Sequence, residues 1–113
     1  MPFIDVKTNK QISKADEITL KEQLGHAIAI LPGKSETWLM LELKDSCRMY
    51  FHGSNAPCAM VQVQVFGQIN PEACERLTAE VCRIMQDVLG IPADSTYVKY
   101  EDVSLWGWNS QNF

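Results

Sequence analysis

Behind Met1-Pro2, residues 3–8 alternate apolar Ile4 and Val6 with polar Asp5 and Lys7, the period of a half-buried strand. The period then changes. Ser13 with Asp16 three residues on resembles a capping box, and Leu20, Leu24, Ile28 and Leu31 hold a helical stripe until Pro32-Gly33 stops it. Trp38 to Leu43 reads as a second strand. The second half repeats this order. Ala59 to Phe66 alternates as a strand, and Asn70-Pro71 is a cap with proline in the first turn. Leu77, Val81, Ile84 and Val88 carry the next stripe, Gly90 and Pro92 end it, and Thr96 to Val103 returns to period two. The echo reaches single residues, since Thr37-Trp38-x-x-x-Glu42 parallels Thr96-Tyr97-x-x-x-Glu101. Two tandem β-α-β units with right-handed crossovers follow from this order.

Strand parity sorts the residues into two faces. One collects Ile4, Val6, Leu39, Leu41, Leu43, Val61, Val63, Val65, Val98 and Tyr100, apolar enough to take both helices. The expected fold is therefore α+β, a two-layer sandwich of one sheet and two helices in a single domain over 1–113. The other face mixes Phe3, Asp5, Trp38, Met40, Glu42, Met60, Gln62, Gln64, Phe66, Tyr97, Lys99 and Glu101. Such a face is too polar for a core and too aromatic for a purely wet surface. It predicts contact with another subunit, and hence an oligomer.

Composition narrows the function. The chain has 113 residues, 46% of them hydrophobic and 21% charged, which suits one globular domain whose small core gains from an interface. A formal net charge of −4 with no basic run argues against nucleic acid as a partner. No apolar stretch approaches the ~20 residues of a membrane span, and no signal peptide precedes the first strand. The expected compartment is the cytoplasm, or the outside by a non-conventional export route. Cys47, Cys58, Cys74 and Cys82 contain no C-x-x-C pair, and Cys47, His52 and Cys58 match no zinc spacing. They read as structural thiols, and the pattern calls for no metal and no cofactor.

Pro2 is the most distinctive chemical candidate. Initiator methionine is commonly cleaved before proline, and the new terminus is then a secondary amine able to carry or release a proton near neutrality. Within a chain the same nitrogen has neither proton nor basicity.

The residues collectively resemble the tautomerase superfamily and, within it, the macrophage migration inhibitory factor family. Four stretches carry the likeness: Thr8-Asn9; Gly33-Lys34 ahead of Trp38; Phe51-His52-Gly53-Ser54 with Pro57-Cys58-Ala59; and Gly107-Trp108-Asn109-Ser110 ending at Phe113. The resemblance implies a homotrimer with active sites between subunits and keto–enol tautomerisation of phenylpyruvate-like α-keto acids. Pro2 matches the catalytic proline and Lys34 the lysine that meets the substrate carboxylate. The backbone at Phe66 matches a pocket-lining position, and Tyr97 matches a pocket tyrosine supplied by the neighbouring subunit. Trp38, Trp108 and Phe113 fall where the family places pocket walls.

Three departures accompany it. Lys99 replaces the family asparagine two residues past the tyrosine, so carboxylate binding or pocket charge is expected to differ. Cys58 lacks its family partner, because that position is Val61, and the thiol–disulfide activity proposed for some members is not expected here. The segment before Gly107 is about two residues shorter than in the mammalian proteins, which alters the pocket rim.

The chemistry is coherent. A general base works best with a pKa near the operating pH, and an α-amine starts at about 7.7–8.0. Burial among aromatics and a nearby cation (Lys34, with Lys99 a second candidate) both lower that value. Lys34 doubles as a point charge for the carboxylate, and Tyr97 is placed to hydrogen-bond the developing enol oxygen. Plainer roles stand beside these. Lys34 also suits a helix C-terminus, the tryptophans and Phe113 suit interface packing, and Tyr97 suits an ordinary strand. His26 falls off its helix stripe, His52 sits in a loop, and nothing in the sequence pairs Asp5 with Glu42. Two readings result: a tautomerase that depends on losing Met1, and a secreted, cytokine-like protein that binds a host receptor and keeps its pocket as a relic.

Overall fold

A computed structural model describes the whole chain, Met1–Phe113. Strands β1 (Pro2–Thr8), β2 (Met40–Lys44), β3 (Ala59–Phe66) and β4 (Thr96–Val103) form one sheet in the order β2-β1-β3-β4. β1 runs parallel to β2 and β3 parallel to β4, while β1 and β3 are antiparallel. Each β-α-β unit thus closes on itself, and the two units join through their first strands.

Local chemistry sets the helix ends where the sequence places them. In α1 (Lys14–Ala27) the Asp16 amide donates to Ser13 Oγ at 3.1 Å, and in α2 (Pro71–Leu89) the Ala73 amide donates to Asn70 Oδ1 at 3.0 Å. Gly90 ends α2 at φ 68°, its amide bonding back to the Gln86 carbonyl and that of Ile91 to the Met85 carbonyl. Both helices lie on the apolar sheet face. Ile4, Val6, Val61, Val63 and Val65 meet Leu20, Leu24 and Ile28 of the first helical segment and Leu77, Val81, Ile84 and Met85 of the second. Val88 sits at the margin of this core, and Leu89 and Met85 complete the buried stripe. Tyr100, on the same face, donates its hydroxyl to the Cys74 carbonyl at 2.8 Å and lies 2.8 Å from Thr78 Oγ1.

One expected strand begins later than its pattern suggests. Glu36–Trp38 form a 3-10 turn, and β2 starts only at Met40. The first β1–β2 pair is Phe3 with Met40, and one step upstream the partner is Pro2, which has no N–H to give. Trp38 therefore leaves the sheet at its edge, whereas its sequence echo Tyr97 stays within β4 and pairs with Met60. The turn is seated on α1. Glu36 lies so close over Gly25 that an added Cβ there would clash with the carboxylate, and Lys21 pairs with Glu36 at 3.3 Å.

A short hairpin after β4, β5 (Gly107–Trp108) with β6 (Gln111–Asn112), is not foretold by the alternation. Asn109 and Ser110 at its tip have φ of 52° and 68°, the signs required by a type I′ turn. A Cβ at Gly107 would stand 2.9 Å from Asn112 Oδ1, and the Phe113 amide closes the hairpin on the Trp106 carbonyl at 3.1 Å.

Candidate active site

Three elements build a cleft at the start of β1. Pro2 is buried at the strand's first position, paired with Val65. The 3-10 turn brings Trp38 to one side, and the C-terminal hairpin brings Trp106 and Trp108 to the other. Together with Phe3, Met40 and Gln64 they line a cleft of about 640 Å³, a size that takes a small aromatic ligand. Trp38 meets Trp108 edge to face at 5.1 Å, Trp108 stacks on Phe113 at 6.3 Å, and Phe113 leans on Phe66 at 5.2 Å. Of the expected wall of Trp38, Phe66, Tyr97, Trp108 and Phe113, all but Tyr97 thus form one continuous aromatic chain. Trp106 and Gln64 were absent from the expected wall, although the Trp-Gly-Trp run at 106–108 signals two indoles on one side of a turn.

Lys34, just past the Pro32-Gly33 turn, comes to the same strand end. It lines a separate hollow of about 470 Å³ with Leu31, Gln68 and Asn70, where Val65, the register partner of Pro2, also lies. Its Nζ donates to the Phe66 carbonyl at 3.1 Å. The Phe66 amide in turn donates to the Met1 carbonyl at 3.0 Å, so Lys34 reaches the Met1–Pro2 peptide through Phe66. The terminal amine on Met1 is held below the usual α-amine value, first by burial and then by the Lys34 ammonium. The two causes named for an N-terminal base are both present at this end of the strand.

Tyr97 and Lys99 stand apart from this group. In register Pro2 lies level with Val65 and Asp102, so along β4 Tyr97 is about 16 Å and Lys99 about 10 Å from that level. Both are exposed on the face without helices. A single protomer therefore holds Pro2 and the aromatic wall at one end of its sheet and Tyr97 at the other.

The Tyr97 end is braced by a different stretch. Asn9 Nδ2 donates to the carbonyls of Asn55 and Ala56 at 3.1 and 2.9 Å, and its Oδ1 accepts from the Cys58 amide at 2.9 Å. Thr8 Oγ1 donates to the Cys58 carbonyl at 2.8 Å. Thr8-Asn9 thus pins the loop before β3. Within that loop Phe51 and Ser54 exchange both backbone bonds around His52 and Gly53, whose φ values are 53° and 71°. The Phe51 ring meets Tyr97 edge to face at 5.1 Å.

Midway between the ends, Asp5 is only 7% exposed although its face bears no helix. Its Oδ2 takes Lys7 Nζ at 2.9 Å and lies 4.0 Å from Lys44 Nζ, and its Oδ1 is buried without a partner. Asp5 and Glu42 are register neighbours, with Lys44 3.5 Å from Glu42. The two carboxylates are thus held apart by lysines rather than coupled as an acid/base pair. Cys58 is buried at the start of β3, burial pushes its thiol up, and Val61 points into the core.

The family model described as macrophage migration inhibitory factor matches residues 1–112. The chain belongs to the macrophage migration inhibitory factor family. The macrophage migration inhibitory factor of Meriones unguiculatus is 30% identical over 115 residues, spanning 100% of this chain and 99% of that protein. Among solved structures, Leishmania major MIF2 is 29% identical with a TM-score of 0.93, covering 100% of this chain and 97% of its own. A macrophage migration inhibitory factor homologue from Prochlorococcus marinus is 28% identical with a TM-score of 0.82, covering 98% of each chain. The fold and the family, within the tautomerase superfamily, agree with the resemblance read from the sequence.

Proposed function

We propose that this protein, once Met1 is removed, is a cofactor-independent keto–enol tautomerase of phenylpyruvate-like α-keto acids. It works as a homotrimer, with Pro2 as general acid/base. The observation that carries this is the placement of the N-terminal strand residue. Pro2 is buried beside an aromatic cleft, and the amine next to it already has a lowered pKa.

Removal of Met1 does three things at once. It turns the Pro2 nitrogen into a secondary amine, takes Met1 off the cleft lining, and frees the Phe66 N–H that the Met1 carbonyl had occupied. The substrate carboxylate takes over that N–H, with Lys34 Nζ as the adjacent cation. The phenyl ring lies among Trp38, Trp106 and Trp108. The Pro2 nitrogen then takes a proton from the carbon beside the ketone. The C–H electron pair becomes the C=C bond, the carbonyl π pair moves to oxygen, and the proton taken up by the Pro2 nitrogen is returned to that oxygen, giving the enol and restoring the free amine. Tyr97 of a neighbouring copy donates to the oxygen as charge grows there. A neighbour is required because the chain's own Tyr97 is too far along β4.

Mature Pro2→Gly is expected to keep the fold and the oligomer and to lose about 10²- to 10⁴-fold in phenylpyruvate turnover, the range of general acid–base contributions. Wild-type rates from this variant, or from chains shown by intact mass to retain Met1, would refute the role of Pro2. The receptor-binding alternative draws support from the name its relatives share, macrophage migration inhibitory factor. It is distinguished by the same variant, since signalling to cells would survive Pro2→Gly and fail with substitutions away from the cleft.

A further inference from the structure

We infer that Phe51 is a positioning residue for the tautomerase site of a neighbouring subunit, acting through Tyr97. The inference rests on the proposed function, and it concerns a loop to which neither composition nor the catalytic reading assigns a role.

Tyr97 is more than half exposed, at 57%, and its hydroxyl makes no hydrogen bond within the protomer. Within one protomer, then, the orientation of this phenol is left to its own chain, and a ring ordered before it enters a neighbouring site loses less freedom on acting there. The main aromatic restraint on it is the Phe51 ring, whose centroid lies 5.1 Å away at an interplanar angle of 88°. An edge-to-face pair of this geometry favours one orientation of the tyrosine ring.

Phe51 can serve as a stop because it is itself fixed. The reciprocal bonds between Phe51 and Ser54, at 2.9 and 3.0 Å, close a two-residue turn. Positive φ at His52 and Gly53 gives that turn its hand. The His52 ring packs on Phe51 edge to face at 4.3 Å. Farther along, Asn9 and Thr8 tie residues 55, 56 and 58 to the end of β1. Rigid support therefore runs from β1 through the loop to the Phe51 ring, and from that ring to Tyr97.

The test uses the mature full-length protein, with phenylpyruvate as substrate. Phe51→Leu keeps an apolar side chain and loses the ring edge. It is expected to lower kcat/KM about three- to tenfold, the scale of one aromatic pair. The loss should fall mainly on kcat, because Tyr97 acts on charge that develops in the transition state. Phe51→Tyr, which restores a ring, should recover most of it, and Tyr50→Ala on the same loop should leave the rate unchanged. In a Tyr97→Phe background Phe51→Leu should add little, since the group it positions is gone. Should Phe51→Leu fold poorly, Phe51→Met provides the same comparison with an unbranched chain. Equal losses with and without the Tyr97 hydroxyl, or no loss at all, would overturn the inference. So would wild-type kinetics from Tyr97→Phe. The mature Pro2→Gly protein tells this failure from failure of the proposed function: if Pro2→Gly is inactive while Phe51→Leu is unaffected, only the positioning role falls.

Discussion

The two faces of the sheet differ in how far one chain completes them. On the helix-covered face Ile4, Val6, Val61, Val63 and Val65 are fully buried, and even the polar Tyr100 has partners for its hydroxyl. On the bare face Met40 is 69% exposed and Tyr97 57%, while Asp5 keeps a buried oxygen that nothing satisfies. A buried acceptor without a donor costs free energy, and a run of exposed apolar side chains gains by being covered. The covered face answers to stability within one protomer. The bare face and its edges hold the groups of the proposed chemistry, and they are left in two halves.

Substitutions on the two faces should therefore separate. The largest effect expected at the cleft is that of Pro2→Gly, which should change turnover by orders of magnitude and leave the urea midpoint nearly where it was. On the covered side Leu77→Ala removes a fully buried side chain from α2 and should cost about 2–5 kcal/mol of stability. Urea unfolding measures that cost, and turnover per folded molecule should be unchanged. A large loss of turnover at full folding would blur the division between the faces.

Tyr100→Phe is smaller. Removing the hydroxyl leaves the Cys74 carbonyl and Thr78 without that partner and should cost about 1 kcal/mol. The effect also has a pH signature. Burial pushes the Tyr100 phenol up to about 12, above the ordinary value of about 10. The folded state disfavours the phenolate, so this contribution is whole below pH ~10 and fades as pH climbs through 12. Wild-type stability should fall in that window more steeply than that of Tyr100→Phe, as read from urea midpoints.

Besides weakening the hold on the substrate carboxylate, a change at the edge between the faces should produce the smallest expected shift, one in the pH dependence. Lys34 is the second cause, after burial, of the lowered Met1 amine, and the same lysine is expected to act on the Pro2 amine of the mature chain. In mature Lys34→Met the base should protonate more readily, so the acid limb of the pH–rate profile should move to higher pH. An unmoved limb would assign the lowering to burial alone. In wild type the active, proton-free amine should persist below the usual α-amine range.

Much of this was legible in the residues. Ser13, Asn70 and Gly90 end their helices by bonds that reach only a few residues, so spacing reveals them. Period two marks β1, β3 and β4 because the side chains of a strand alternate between a packed and an open face. Pro2, Trp38, Trp108 and Phe113 emerged as site candidates through a resemblance that spans the chain. Less legible was the company they keep. Trp38 was expected in a strand and stands in a turn, because Pro2, far away in sequence, offers no N–H in the parallel register. Trp106 joins the wall because a type I′ turn folds the C-terminus back over it.

By itself, then, the sequence determined the two helices, the four strands of the main sheet apart from where β2 begins, the buried stripe, the family and the identity of the candidate base, since each depends on neighbours along the chain or on a pattern spread over all of it. Tertiary structure alone decided that Lys34 reaches the Phe66 carbonyl beside the terminal amine and that Phe51 braces Tyr97. It also decided that Tyr97 is out of reach of its own Pro2. Those facts depend on register between strands that are distant in sequence, and register is set only when the sheet closes over its core.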